Sequence, residues 1–269
     1  MPLFVCATPI GNLEDVTLRV LRTLQEADVV LCEDTRRTRI LLTRHRVQAR
    51  LVSLHAHNEA QRTAEVLPRL AAGESMALVS DAGLPGVNDP GGRLISAAIE
   101  GGIPVTVLPG PSAVETALVA SGLSRGEYLF LGYLPRARGA LRRLWASAAA
   151  WPWAAVAFES PRRLPGTLRS LAEILPDRNA AVCRELTKRY EEVVHGSATE
   201  LAERFSEPPK GEITLVVGPG RAAESDSDRA TAVAAVAELV AAGVPRRDAS
   251  DLVARLTRVP RNALYRESL

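Results

Sequence analysis

LVSDAGLPGVNDPGG, residues 78–92, joins a short apolar run to a loop rich in glycine, proline and aspartate. The apolar run predicts a buried strand, and the Gly and Pro residues predict sharp turns after it. Two further loops, ATPIGN (7–12) and PGPSA (109–113), also follow short apolar runs. In open parallel sheets, ligands bind beyond the carboxyl ends of the strands. The sequence therefore predicts one ligand site built from these three loops.

The composition of these loops limits the ligand. Neither the dinucleotide fingerprint G-x-G-x-x-G after the first strand nor the phosphate loop G-x-x-x-x-G-K-[ST] is present. Asp81 would repel a pyrophosphate and attract cations and hydroxyl donors, as S-adenosylmethionine offers through its sulfonium, ammonium and ribose. The alternative is that Asp81 and Asp89 cap helices; for Asp89, which precedes Pro90, capping is the favoured interpretation.

Short apolar runs alternate with segments of helical periodicity along the first half of the chain. The predicted strands are 3–8, 28–33, 51–54, 76–81 and 104–110, and the predicted helices are 17–27, 35–45, 59–73, 91–102 and 111–122. This alternation predicts an α/β fold with a mainly parallel sheet and helices on both faces.

The pattern then restarts. Strands are predicted at 128–134, 154–159, 180–186, 190–196 and 212–218, with one helix between the first two and another over 161–175. The third and fourth strands have a hairpin-like spacing. A second, mixed α/β domain is the simplest interpretation.

We expect three parts along the chain: an α/β domain with the cofactor loops over 1–113, a second α/β domain over 114–220, and a linker with a helical extension over 221–269. Polar residues predict the linker at 221–229. Short helices are predicted at 230–243, 246–257 and 261–268, with Pro245 and Pro260 at the starts of the last two. A helix-turn-helix tail and a plain helical cap are both compatible with this pattern.

The composition excludes several classes of protein. Net charge is +2 over 269 residues, so contacts with nucleic acid must come from local patches. The three cysteines have no metal-ligand spacing, and we expect no metal site. The chain has no apolar run of about 20 residues and no leader-like start, so we expect a cytoplasmic protein without membrane contact.

VSDAGLPGVNDPGG and LPGPSAVETAL resemble the tetrapyrrole-methylase superfamily of S-adenosylmethionine-dependent enzymes. Other stretches resemble one branch, which methylates the ribose 2′-O of a decoding-centre cytidine in 16S rRNA. They are ATPIGNLEDVTLRVLRTLQEADVVLCEDTRRTRILL (7–42), SLHAHNE (53–59), FESPRRL (158–164), CRELTKRYEEVVHG (183–196) and KGEITLVVG (210–218). The resemblance covers roughly residues 3–218, and the tail is similar to that branch's helical extension.

The resemblance implies two α/β domains with S-adenosylmethionine in the cleft between them, 16S rRNA in the 30S subunit as partner, and a homodimer. Carried over residue by residue, the implied cofactor contacts are Pro9, Asp81, Ala82, Gly83, Ser112, Ala113, Phe158, Glu185, Leu186 and Glu212. Porphyrin-type members usually carry a G-x-G-x-G-D first loop, and ATPIGN departs from it. A tetrapyrrole methylase and a non-catalytic ribosome-binding homologue are the alternatives.

Methyl transfer to a ribose hydroxyl needs a base, or a cation that lowers the pKa of the hydroxyl. The candidates are Glu33, Asp34, His55, His57, Glu59, Glu185 and Lys188, of which Glu33, Glu185 and Lys188 are the predicted catalytic residues. Capping of the next helix explains Glu33 equally well, and an ordinary salt bridge to Glu185 or Glu191 explains Lys188 equally well. Asp34 is predicted to cap the following helix.

Two arginine-rich stretches without acidic residues, 35–50 and 133–150, predict contacts with RNA phosphates. The candidate RNA-binding residues are Arg36, Arg37, Arg39, Arg136, Arg138 and Arg142. His55 and His57 could share one face of a strand end, but no third metal ligand is apparent, so RNA contact or a structural role is favoured.

Overall fold

A computed structural model of the chain describes residues 2–124, 126–220, 226–257 and 259–268. The chain divides into two units, one formed by residues 1–149 and 153–219 and the other by 150–152 and 220–269. The first unit contains two five-stranded sheets, and the second is helical. The expected division of the first unit near residue 113 stays a prediction.

The first sheet has five parallel strands in the order β3-β2-β4-β1-β5. The strands are β1 (Leu3–Cys6), β2 (Val29–Cys32), β3 (Leu51–Ser53), β4 (Met76–Val79) and β5 (Val105–Leu108). The helices of this half are α1 (Leu18–Glu26), α2 (Thr35–Arg44), α3 (Glu59–Ala71), α4 (Gly92–Glu100) and α5 (Ala113–Ser121), and a 3-10 turn spans Leu13–Asp15. Because all five strands run the same way, their carboxyl ends share one edge of the sheet.

Apolar side chains are buried on both faces of this sheet, as expected for parallel strands. Leu3 and Val5 of β1 pack in one cluster with Val66 of α3 and Leu94 of α4. Cys6 packs on the opposite face, in a cluster that includes Leu24 of α1 and Leu42 of α2. The predicted alternation of strands and helices is confirmed.

The second sheet is mixed and has the order β6-β7-β10-β8-β9. Its strands are β6 (Tyr128–Tyr133), β7 (Ala154–Glu159), β8 (Asn179–Arg184), β9 (Glu192–Ser197) and β10 (Ile213–Val217), and its helices are α6 (Arg138–Ala148), α7 (Leu164–Ile174) and α8 (Ala198–Arg204). β6 and β7 are parallel, whereas the other pairs are antiparallel. The predicted mixed fold and the hairpin-like pairing of β8 with β9 are confirmed. The sequence analysis missed α8, which begins with a capping box between Ser197 and Glu200.

The two sheets share a core through α5. Val114, Ala117 and Leu118 of this helix pack against Val156 and Val216 of the second sheet. The helix that follows the last strand of the first sheet therefore covers the second sheet, and it brings the PGPSA loop to both.

The helical unit contains α9 (Asp226–Ala241), α10 (Arg246–Leu256) and α11 (Arg261–Glu267), which pack around Val236, Val253 and Leu264. Pro245 and Pro260 immediately precede α10 and α11, as predicted. The predicted linker is wrong over residues 226–229, because α9 begins at Asp226. Residues 221–225 of that linker lie outside the described residues. The choice between a helix-turn-helix and a helical cap stays open.

The three cysteines are free and buried. Burial raises the pKa of Cys6 and of Cys183 to about 12. No group of three or more acidic, histidine or cysteine side chains that could hold a metal ion occurs among the described residues. Within the same residues, no helix is long and apolar enough to cross a membrane.

Two tertiary connections fix the loop that follows β4. The backbone of Thr8 and that of Gly83 exchange two hydrogen bonds, of 2.8 and 3.0 Å, and the Thr8 hydroxyl donates to the Ser80 carbonyl at 3.0 Å. Gly83 has a φ of 78°, a conformation that favours glycine. The loops after the two central strands are thereby tied together.

The second connection is a helix cap supplied from a distance. α4 begins at Gly92 with Gly91 as its N-cap residue, so the predicted capping by Asp89 is wrong. Instead, the Glu59 carboxylate of α3 accepts hydrogen bonds from the backbone N–H groups of Gly91, at 3.0 Å, and Arg93, at 2.9 Å. It satisfies two donors that the first turn of a helix leaves free, and its charge complements the positive end of α4.

We predict that Glu59→Ala lowers the free energy of unfolding by about 1–3 kcal/mol, because two N–H groups lose a charged acceptor. Glu59→Gln keeps one acceptor oxygen and should lose less. Urea denaturation at neutral pH measures both changes. Equal stability of Glu59→Ala and the unmodified protein would show that water satisfies the two donors.

Candidate active site

A cavity of about 780 Å³ lies at the carboxyl-end edge of the first sheet and against the second sheet. The three loops predicted to form the site all contribute to it, through Ala7 and Ile10, through residues 81–84, and through residues 109–113. Tyr133, Phe158 and residues 211–214 line it from the second sheet. Its volume lies in the range of small-molecule sites, about 300–1,000 Å³.

Most of the predicted cofactor contacts line this cavity. They are Asp81, Ala82, Gly83, Ser112, Ala113, Phe158, Leu186 and Glu212. Glu33 and Arg37, which were predicted for other roles, also line it. Pro9, Glu185 and Lys188 do not belong to the lining.

The lining is strongly acidic. Its carboxylates are Glu33, Asp81, Asp89, Glu115, Glu159 and Glu212. Arg37 is the sole basic side chain among the described residues that line the cavity. Such a lining attracts cations and hydrogen-bond donors and repels anions.

Asp81 is held in place by α2. Its carboxylate accepts a hydrogen bond from the backbone N–H of Asp34 at 3.1 Å, and the Arg37 guanidinium lies 3.3 Å away. Burial raises the pKa of Asp81, while the Asp34 N–H and Arg37 oppose that rise. Asp81 therefore lies at the strand-end edge with a fixed orientation.

Asp34 caps α2, as predicted, by accepting from the Arg36 backbone N–H at 2.8 Å. Its carboxylate also forms an ion pair with the Arg36 side chain at 2.7 Å. These hydrogen bonds hold the pKa of Asp34 well below its ordinary range. The capping residue thus orients Asp81 through its N–H and Arg36 through its carboxylate.

Glu33 and Asp89, like Asp81, have surroundings that favour a proton. Burial raises the pKa of Glu33, and the Asp81 carboxylate raises it further. Burial, helped by Glu33 and Asp81, raises the pKa of Asp89 to about 6. The sequence analysis assigned Asp89 to a helix cap, because the Asp-Pro pair is a local signal and the carboxylate cluster is not.

Lys188 forms two ion pairs behind the cavity wall. Its Nζ lies 2.8 Å from Glu185 Oε1 and 2.9 Å from Glu212 Oε2. Glu185 also accepts from the Glu212 backbone N–H at 3.0 Å, and the hydrogen bond from Lys188 lowers its pKa. Of the two salt bridges considered for Lys188 from the sequence, the one to Glu185 is present. Glu191 instead accepts a hydrogen bond from the Thr187 backbone N–H.

An aromatic cluster that the sequence analysis missed forms part of the opposite wall. The Phe158 ring centroid lies 5.2 Å from that of Phe130 and 5.6 Å from that of Tyr133. Tyr133 is 64% exposed, so its ring offers a face to a ligand at the cavity. The apolar stretch of β6 was interpreted only as a strand.

The paired histidines lie outside the cavity lining. The ring centroids of His55 and His57 are 6.0 Å apart, and the backbone N–H of His55 donates to Asn58 at 2.8 Å. His55 lies near enough to Glu33 to lower its pKa. The structure thus places His55 beside the site without making it a lining residue.

The predicted RNA-binding arginines differ in their partners. Arg36 pairs with Asp34 and Arg37 with Asp81, while Arg138 and Arg142 both pair with Glu173. Arg39 and Arg136 are exposed and form no ion pair with the described residues. Whether any of them contacts RNA stays a prediction.

A family model described as Tetrapyrrole (Corrin/Porphyrin) Methylases matches residues 2–202. The protein named ribosomal RNA small subunit methyltransferase I from Mesorhizobium japonicum is 44% identical, over 99% of this chain and 91% of its own length. The protein of the same name from Mycobacterium bovis is 46% identical, over 94% of this chain and 88% of its own.

Solved structures also resemble the chain. Uroporphyrin-III C-methyl transferase from Thermus thermophilus, complexed with S-adenyl homocysteine, has a TM-score of 0.57 over 82% of this chain and 98% of its own. At 20% identity, this likeness concerns the fold alone.

We predict that Asp89 makes the free energy of unfolding fall as pH rises. The folded-state pKa of Asp89 is about 6, whereas an unfolded Asp titrates near pH 4. Its stabilising contribution is therefore complete below about pH 4 and is lost as pH rises through about 6. The free energy of unfolding of Asp89→Asn minus that of the unmodified protein should therefore increase by about 2 kcal/mol between pH 4 and pH 7.5.

Urea denaturation at both pH values measures this difference. The exposed Asp177→Asn variant is the control and should show no such gain. A constant difference between Asp89→Asn and the unmodified protein at the two pH values would contradict the raised pKa.

Proposed function

Because the chain belongs to the tetrapyrrole (corrin/porphyrin) methylase family, we propose that it is an S-adenosylmethionine-dependent rRNA methyltransferase. The acceptor in this proposal is the ribose 2′-O of a decoding-centre cytidine of 16S rRNA. The observation that carries it is the acidic cavity at the strand ends, in a chain 44% identical to a protein named as an rRNA methyltransferase.

The cavity suits S-adenosylmethionine by its charge and shape. The sulfonium and ammonium groups are cations, and Asp81, Glu33 and Glu212 offer carboxylates. A Cβ at Gly110 would lie 2.9 Å from the Ala7 Cβ, so only glycine fits at this point of the loop. When bound, S-adenosylmethionine supplies an electrophilic methyl group on its sulfur.

The residues proposed to hold the cofactor come from both sheets. They are Asp81, Ala82, Gly83, Ser112 and Ala113 on one side, and Phe158, Leu186 and Glu212 on the other. Pro9 and Glu185 would act from behind this lining. Holding acceptor and donor in line is worth about 7–11 kcal/mol of the barrier in well-oriented reactions.

We propose that Glu33 or Asp89 is the general base that accepts the proton of the ribose hydroxyl. A general base works best when its pKa lies near the working pH, and burial raises the pKa of both carboxyls toward it. Glu185 fits this role less well, because Lys188 lowers its pKa.

Lys188 and Glu185 instead support the wall of the cavity. Their ion pair fixes the residues around Leu186, and a Cβ at Gly11 would lie 2.5 Å from the Lys188 Cγ. The first loop and the second sheet therefore contact each other closely here. We propose that these two residues position the cofactor and take no proton.

The same acidic lining disfavours a tetrapyrrole substrate, since porphyrin precursors carry many carboxylates and would be repelled. A ribose hydroxyl is neutral, and the phosphates of its strand can remain outside on arginine-rich surfaces. The proposal includes the assembled 30S subunit as the particle bound, the arginines at 36, 37, 39, 136, 138 and 142 as RNA contacts, a homodimer, and a cytoplasmic location.

We predict that tritiated methyl groups pass from S-adenosylmethionine to small subunits that lack the modification. The assay compares assembled subunits, naked 16S rRNA and a tetrapyrrole precursor. Label at one cytidine, in a linkage resistant to alkaline cleavage, supports ribose 2′-O methylation. Label on the tetrapyrrole alone would contradict the proposed rRNA substrate but not the fold assignment.

We also predict that Asp81→Ala weakens S-adenosylmethionine binding by about 2–5 kcal/mol, because the ligand loses a charged, partly buried hydrogen-bond acceptor. Titration calorimetry measures the dissociation constant. Asp81→Asn keeps the size and an acceptor for the Asp34 N–H, so it isolates the charge. Glu100→Gln, an exposed residue of α4, is the matched control. An unchanged constant in Asp81→Ala would refute the role of this carboxylate.

A further inference from the structure

A second cavity, of about 710 Å³, lies between α6, α7 and the segment 206–208. We call it the arginine groove. Its charged lining residues are Arg136, Arg138, Arg162, Arg163, Arg169, Glu173 and Glu207. The charge of this groove is thus opposite to that of the acidic cavity.

Three of the five arginines have side chains without a hydrogen-bond or ion-pair partner among the described residues. Arg163 donates to the carbonyls of Leu134 and Pro135, at 3.1 and 2.7 Å, and Arg138 pairs with Glu173. The side chains of Arg136, Arg162 and Arg169 are exposed and form no ion pair or hydrogen bond with the described residues. Their guanidinium groups are available to a ligand.

A buried hydroxyl provides the independent observation. Ser170 lines the groove and is 5% exposed, yet its Oγ has no hydrogen-bond partner among the described residues. A buried hydroxyl without a partner is destabilising, and most such groups in proteins are satisfied. A ligand oxygen in the groove would accept a hydrogen bond from this hydroxyl.

We propose that the arginine groove binds a backbone phosphate of the RNA substrate. Guanidinium groups bind phosphate oxygens in bidentate fashion, and the hydroxyl adds one donor. This inference rests on the proposed function, because it takes the strand whose ribose enters the acidic cavity as the ligand. It adds Arg162, Arg169 and Ser170 to the residues that recognise this strand.

The position of the groove beside the acidic cavity supports this assignment. Ser160 and Pro161 line the cavity, and the next two residues, Arg162 and Arg163, line the groove. The buried Glu159 also lines the cavity and accepts from the hydroxyl of Thr167, which lines the groove. One wall thus separates the two sites, and we take both as contacts of a single strand.

The test compares the double variant Arg162→Gln/Arg169→Gln with the control Arg19→Gln/Arg22→Gln. The control changes two exposed arginines of α1 and removes the same charge. Affinity for 16S rRNA and for assembled small subunits is measured from low to high KCl. Calorimetry with S-adenosylmethionine shows whether the cofactor site is intact.

We expect the groove variant to lose rRNA affinity about tenfold or more at low salt, with a salt slope smaller by about one per arginine. The control should lose less than about twofold, and both should bind S-adenosylmethionine as the unmodified protein does. Equal losses in the two variants would overturn the inference. So would a loss seen on assembled subunits but not on naked rRNA, since that places a ribosomal protein in the groove.

A titration with inorganic phosphate separates the two sources of this chemistry. If the groove variant loses binding of inorganic phosphate but keeps full rRNA affinity, the groove is a site for free phosphate and the RNA assignment is overturned. If the unmodified protein transfers no methyl group to rRNA while the groove variant still loses rRNA binding, the proposed function fails and the groove assignment stands.

Ser170→Ala gives a second, independent measurement. Removal of the unpartnered hydroxyl should leave the melting temperature unchanged or raise it, because no intramolecular hydrogen bond is lost. It should weaken rRNA binding about two- to fivefold, because the ligand loses a donor. Unchanged rRNA affinity in this variant would show that Ser170 does not face the phosphate.

Discussion

The two backbone hydrogen bonds between Thr8 and Gly83 are the contact on which the site depends. They join the loops that follow β1 and β4, and the Thr8 hydroxyl holds the start of the second loop through Ser80. With this loop fixed, the Asp81 carboxylate meets the N–H of Asp34 at the end of β2. Three strand ends are thereby fixed relative to one another before any ligand contributes.

The proposed function places two opposite electrostatic demands on one α/β unit. Burial raises the pKa of three carboxyls of the acidic cavity, Glu33, Asp81 and Asp89, which would face the sulfonium in the proposed function. A nucleic acid strand needs cations, which those carboxylates would neutralise at short range. The structure keeps the groups apart on the two sides of the β7–α7 loop, where Pro161 faces one site and Arg162 the other.

Local patterns predicted the strands, most helices and the three loops of the cavity, because strand and helix periodicity depends on neighbouring residues. Contacts between residues distant in sequence could not be predicted from these local patterns. The cap of α4 comes from Glu59, about thirty residues earlier, so the local Asp89-Pro90 signal misled. Likewise, Lys188 reaches Glu212 only because β8 and β10 pair. The polar start of α9 was taken for a linker, since composition alone does not show the apolar partners that stabilise a helix.

The buried cysteines provide each sheet with a chemical probe of local opening. Cys6 and Cys32 lie in the first sheet and Cys183 in the second, and all three are fully covered in the native state. Alkylating reagents attack thiolates, and pKa values of about 12 at Cys6 and Cys183 suppress that form near neutral pH. Modification therefore reports openings that expose the strand carrying the thiol. The order in which the three sites are alkylated reveals which sheet opens first, without any engineered probe.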